Sequence, residues 1–105
     1  MSDTRAEASA WIADHIPAGS DVVVQTYGAW VDPDRYDVTG RASLLGDNVP
    51  PGTDYIVASE SMFGRYADPE KFPRQAPAYQ RLFASLELVR EFEVPGNAIR
   101  VYRVP

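Results

Sequence analysis

Two short runs of consecutive apolar residues constrain this chain more than any other feature. Val22-Val23-Val24 opens a segment that continues through Gln25-Thr26-Tyr27, and Asp54-Tyr55 leads into Ile56-Val57-Ala58-Ser59. Side chains along a strand point alternately to opposite faces, so a strand that is apolar at consecutive positions has two faces to bury. The first run is also β-branched, which favours extended backbone. Both segments are therefore expected to be central strands. With 105 residues, the chain is the size of one domain, and 1–105 is read as a single soluble α/β domain.

The segments around these strands carry helical signals. Thr4 and Glu7 have capping-box spacing, and Ala8, Trp11, Ile12 and Ile16 then fall on one helical face. Pro17 disfavours helical geometry at Ile16 and ends the element. Ser59 and Ser61 are expected caps for a short helix through Met62, Phe63 and Tyr66, which Asp68-Pro69 stops. A longer helix is predicted to begin near Pro77, with Tyr79, Leu82, Phe83 and Leu86 as its apolar stripe.

Tyr36-Asp37-Val38 reads as a weak strand, Leu44-Leu45 as an anchor to the core, and Asn48 to Gly52 as a loop. At the end of the chain, Leu88 to Phe92 and Ala98 to Val104 read as a β-hairpin around a type II turn, Val94-Pro95-Gly96-Asn97. The expected fold is α/β. It is a small mixed sheet, Rossmann-like in outline, in the order helix, strand, weak strand, strand, helix, strand, strand, with a C-terminal antiparallel hairpin. Strands separated by helices imply parallel pairing in two or three layers.

Composition narrows the chemistry. Net charge is −5 and the basic residues form no run, so nucleic acid is not an expected partner. The absence of cysteine removes disulfides, thiolate nucleophiles and sulfur-ligated zinc. His15 is the single histidine. Near a helix C-terminus, it is more simply a dipole-compensating cap than a member of a catalytic triad. No dinucleotide fingerprint, P-loop or G-x-S-x-G elbow is present, and Trp30 would block a pyrophosphate after the first strand. Asp32, Asp34 and Asp37 are clustered, but Pro33 and Arg35 suit a calcium loop poorly. A solvated turn with Arg35 neutralising one carboxylate is the simpler expectation. Neither a cofactor nor a bound metal is expected, and no catalytic residues are assigned. No apolar run is long enough to cross a bilayer, and Met1 to Arg5 lacks the apolar stretch of a secretory signal. The chain is therefore expected to be cytoplasmic or a soluble piece of something longer.

In open α/β sheets, ligands collect beyond the C-terminal ends of the strands. Gln25, Tyr27 and Trp30 follow the first strand, and Glu60, Arg65 and Tyr66 follow the second. Together they form a candidate cleft of aromatic faces and hydrogen-bonding tips, a composition that suits a sugar. The competing expectation is that the tyrosines are packing residues and that Arg65 pairs with Glu60.

Several stretches together resemble one family. They are Ala10-Trp11-Ile12 through His15-Ile16-Pro17-Ala18-Gly19-Ser20, Tyr36-Asp37-Val38, Asp54 to Ser59, Phe63-Gly64-Arg65-Tyr66, Tyr79 to Phe83, Leu86 to Phe92 and Ile99 to Arg103. In order and spacing they are similar to the C-terminal extramembrane domain of multi-spanning glycosyltransferases of the protein-mannosyltransferase-like class, which take sugars from polyprenyl-phosphate carriers. The turn Val94 to Asn97 is shorter than that family's insertion before its last strand, and no catalytic residue of the family has a counterpart here. The resemblance implies a non-catalytic accessory domain on the extracytoplasmic face of the membrane. There it would partner the transmembrane catalytic module of a larger protein and recognise or position a carbohydrate or glycosylation acceptor. The alternative is an independent sugar- or small-ligand-binding module. A stand-alone hydrolase or transferase lacks a recognisable base and nucleophile pair.

Overall fold

The computed structural model describes residues 4–93 and 97–105. Helix α1 (Thr4–His15) is followed by strands β1 (Asp21–Gln25), β2 (Asp37–Arg41) and β3 (Tyr55–Ser59). Next come the one-turn helix α2 (Glu60–Phe63), a 3₁₀ turn at Gly64–Tyr66, helix α3 (Gln75–Ala84), and strands β4 (Glu87–Phe92) and β5 (Ile99–Arg103). The strands form one mixed sheet in the order β2-β1-β3-β5-β4. β1 pairs in parallel with β2 and β3, and β5 runs antiparallel between β3 and β4. The turn expected at Val94 to Asn97 lies outside the described residues except for Asn97. Among the described residues, no helix is long and apolar enough to cross a membrane.

The consecutive valines split between the two faces, as the strand period requires. Val22 and Val57 face a cluster with Ala8 and Ile12 of α1 and Ile16 just after it, and Ile99 and Val101 join it from β5. Val23 and Ile56 face the other way, against Leu44, Tyr79, Tyr102 and the partly buried Leu82, Phe83 and Leu86. The sheet thus separates two apolar layers, with α1 on one side and α3 on the other. Ile16 still bonds back to Ile12, and Pro17 then turns the chain into Gly19 at φ 86°.

Three expectations need correction. Parallel pairing of β1, β2 and β3 is not made by helices. The 26–36 connection has no helix, and the 42–54 connection has only a 3₁₀ turn, Gly46–Asn48. Buried anchors replace them: Ala29, Val31 and Tyr36 in the first connection and Leu44 in the second. Tyr36 is held by its hydroxyl, which bonds the Ile12 and Ile16 carbonyls at 3.0 and 2.8 Å and so also caps the end of α1. Second, the first strand stops at Gln25, because Tyr27 adopts a left-handed φ of 65°. Third, neither serine caps α2 through its own side chain. Ser59 occupies the cap position without a capping bond, and the Ser61 amide instead donates to Asn97 Oδ1 at 3.0 Å.

Candidate functional site

Beyond β1 the chain makes a tight turn, in which the Gly28 amide donates to the Gln25 carbonyl at 2.9 Å. The positive φ falls on Tyr27, the third residue, where a type II turn ordinarily places glycine. Gly28 is required by its surroundings: a Cβ there would stand 2.8 Å from the Gln25 carbonyl oxygen and 3.2 Å from a Val24 methyl carbon. The chain then runs along the α1 side with Ala29 and Val31 buried and Trp30 between them pointing out. Two inward anchors flanking one outward residue leave Trp30 69% exposed, while the turn leaves Tyr27 59% exposed. With Gly28, Arg5 and Ser9, the two rings line an open groove of about 500 Å³ against α1.

Asn97 locks this turn. Its Nδ2 donates to the Tyr27 carbonyl at 3.1 Å, while its Oδ1 accepts from the Ser61 amide and from the Ser59 hydroxyl at 3.1 Å. A carbonyl only accepts and an amide N–H only donates, so the orientation of the Asn97 amide is fixed. The Glu60 amide donates to the Ala98 carbonyl at 2.9 Å. Asn97 therefore fills the gap between the ends of β1 and β3, where the chain leaves the two strands toward opposite edges of the sheet. Open α/β sheets ordinarily place a ligand at such a point.

The six residues nominated from the sequence do not share one cleft. Tyr27 and Trp30 come together, but Gln25 is 1% exposed and fully engaged. Its Nε2 donates to the Ala42 carbonyl at 2.9 Å and to the Tyr79 hydroxyl at 3.3 Å, and its Oε1 accepts from the Ser59 amide at 3.0 Å. Tyr66 belongs to the opposite apolar layer, stacked on Tyr79 at 5.8 Å and edge-on to Phe72 at 5.0 Å. Glu60 and Arg65 are exposed, and no ion pair joins them among the described residues.

The remaining candidates resolve into structural roles. His15 Nδ1 lies 2.9 Å from the Trp11 carbonyl, and its ring stacks on Trp11 at 4.4 Å, as a helix-end cap requires. Asp32 Oδ1 accepts from the Asp34 amide at 2.9 Å, closing the acidic turn on itself. Arg35 donates to the Tyr36 hydroxyl at 3.1 Å, and no ion pair joins it to a carboxylate among the described residues. Among the described residues, no cluster of His, Asp and Glu is arranged to hold a metal ion.

Two features escaped sequence reasoning. Arg100 lies against the rings of Phe63 and Phe83 (4.9 and 5.8 Å) with Nε 3.3 Å from a Glu91 carboxylate oxygen, a cation filling the border of the second apolar layer. Asp21 and Asp37 lie opposite one another in the parallel register, and Asp54 accepts from the Asp21 amide at 2.9 Å. A hydrogen bond to Asp37 first, then desolvation and the charges of Asp37 and Asp54, hold the Asp21 carboxyl above its ordinary pKa. Alternation along the strands gives no warning of either grouping: the aspartates meet through register between strands, and Arg100 meets Glu91 through register and the two rings through the packing of α2 and α3 on the sheet.

Compared with models of protein families, with curated proteins and with solved structures, the chain matches none.

Proposed function

We propose that this chain is a binding domain whose recognition surface is the Tyr27 to Trp30 turn, and that its ligand is a carbohydrate. The observation that carries this is the exposed aromatic pair on a turn held rigid from below. The left-handed φ of Tyr27 costs roughly 1–2 kcal/mol, and backbone strain of this kind concentrates where a segment is held in place to meet a ligand. A pyranose offers a face of C–H bonds to such rings and hydroxyls to the polar groups around them. The volume of the groove lies within the range of small-molecule sites.

The resemblance of the sequence supplies the setting. The domain would be an extracytoplasmic accessory part of a polyprenyl-phosphate-dependent membrane glycosyltransferase. Its aromatic surface would position an acceptor sugar while the transmembrane module does the chemistry. The fold is Rossmann-like in outline on this view: parallel strands β2, β1 and β3 in one half of the sheet, cover on both faces, and a ligand surface beyond the C-terminal ends of those strands.

The test is an NMR titration with methyl glycosides of glucose, mannose and galactose. Amide shifts are expected at Tyr27, Gly28 and Ala29, together with the Trp30 indole. Trp30→Ala should weaken binding roughly tenfold or more, about 1.4 kcal/mol, with no change in melting temperature. Flat spectra across the panel would refute carbohydrate binding. Turnover of a glycosyl donor by the chain alone would refute the non-catalytic role.

A further inference from the structure

Tyr27 and Gly28 border two depressions. One is the groove toward α1 with Arg5, Ser9 and Trp30. The other lies toward the sheet edge and is lined by Thr26, Gly40, Arg41 and Ala42, with a volume of about 340 Å³. The left-handed φ of Tyr27 puts this residue at the boundary of both.

The second depression has its own marks of a subsite. Gly40 lies inside edge strand β2, where glycine weakens a strand and often signals close approach by another group. Nothing in the fold requires it: its φ is not in the left-handed region, and a Cβ built there meets no atom within 4 Å. A side chain there would project into open space, and the residue borders the depression. Beside it, Arg41 Nε donates to the Asn48 carbonyl at 3.1 Å and Nη1 to the Gly40 carbonyl at 2.9 Å. Two carbonyls orient the guanidinium without neutralising it, and its further N–H donors suit hydroxyl oxygens.

Resting on the carbohydrate reading of the Tyr27 to Trp30 turn, we propose that the ligand is an extended oligosaccharide laid across Tyr27. One sugar stacks at Trp30, and a later unit occupies a second subsite formed by Gly40 and Arg41. A single sugar fills only one of the two depressions. An oligomer gains the second contact as an intramolecular event, so its affinity rises with length until both are filled.

The experiment compares methyl glycosides with their di- to tetrasaccharides by NMR and calorimetry, on wild type, Gly40→Leu and Trp30→Ala. Oligosaccharides should bind roughly tenfold tighter or more than the methyl glycoside, and only they should shift the Gly40 and Arg41 amides. Gly40→Leu should abolish that gain and leave methyl glycoside affinity unchanged, whereas Trp30→Ala should weaken both. The shift map of the wild type decides independently of how either variant folds. If affinity does not rise with length, or Gly40→Leu leaves the rise intact, the second subsite is refuted while a Trp30-dependent single-sugar site stands. If no saccharide of any length binds, both proposals fall.

Discussion

The Asn97 side chain donates to the Tyr27 carbonyl at 3.1 Å across a sequence separation of 70 residues, joining the start of β5 to the turn that carries the exposed aromatic pair. One amide group thereby serves two ends of the site: its oxygen caps α2 and its nitrogen holds Tyr27. Asn97→Asp separates the two. A carboxylate still accepts from Ser61 and Ser59 but presents an acceptor to the Tyr27 carbonyl. Hydrogen exchange at Ser61 should stay slow, while the Gly28 amide, which closes the turn on Gln25, loses protection. Destabilisation is expected at about 1–2 kcal/mol, within the range for a broken hydrogen bond and an unpaired acceptor. Equal loss of protection at both places would show that the amide does not act as two separate ties.

Tyr27 itself sets stability against function. A left-handed φ costs a residue with a Cβ roughly 1–2 kcal/mol, and glycine removes that strain while adding roughly 0.5–1 kcal/mol of backbone entropy cost. The ring is largely exposed, so little packing is lost. Tyr27→Gly is therefore expected to leave the domain as stable as before or up to about 1.5 kcal/mol more stable, with sugar binding lost. Chemical denaturation and a glycoside titration on one sample check both halves. A clear loss of stability would mean that Tyr27 is a packing residue.

Gln25 marks where sequence reasoning went furthest astray, and its correction is quantitative. As a ligand residue it would tolerate replacement, but as a buried clip between β1, β3, Ala42 and Tyr79 it should not. Gln25→Leu keeps the approximate volume and strips partners from the Ser59 amide and the Ala42 carbonyl. Each buried group left unpaired costs on the order of 1–3 kcal/mol, so a loss of at least roughly 2 kcal/mol is expected, with a fall in melting temperature of roughly 8–16 °C. A melting temperature unchanged from wild type would return Gln25 to the list of candidate ligand residues.

The contrast between Gln25 and the valines shows what was legible. The strands at Val22 to Val24 and Ile56 to Ala58, the Ala8, Trp11, Ile12 and Ile16 face of helix α1 and its exit, and the Tyr79 to Leu86 stripe all follow from local pattern, and the structure packs each of them into a core layer. The pairing of Tyr27 with Trp30 was legible from their position after the first strand, and the structure brings the two together. What periodicity does not carry is the partner of a polar side chain. Gln25 ends a buried strand and Tyr66 ends a short helix, and both looked like cleft residues because strand ends often line clefts. Their placement is decided by Tyr79, which lies on a helix formed later in the chain. The helix-free crossovers were legible in part: no helical signal falls between the first three strands, and Leu44 is the core anchor it was read as. Ala29, Val31 and Tyr36, in contrast, anchor an irregular segment singly, and a single anchor has no period.

At the opposite ends of the parallel strands, Asp21 and Asp37 make stability depend on pH. The hydrogen bond that Asp21 makes to Asp37, followed by desolvation and the charges of Asp37 and Asp54, raises the folded pKa of Asp21 above the ordinary 3.8. The folded state thus binds this proton more tightly than the unfolded chain does. The resulting stabilisation is complete below the unfolded value and is lost as pH rises through the raised folded value. At neutral pH only the repulsion remains, and Asp37→Asn removes its main source. The variant should therefore melt higher than wild type at neutral pH, and its advantage should shrink as pH falls and the Asp21 carboxyl takes up its proton. A carboxyl ¹³C titration should meanwhile show the Asp21 midpoint returning toward its ordinary value. If the variant is less stable at every pH, the Asp21 to Asp37 contact is a net tie in the sheet, and the sign assigned to it here is wrong.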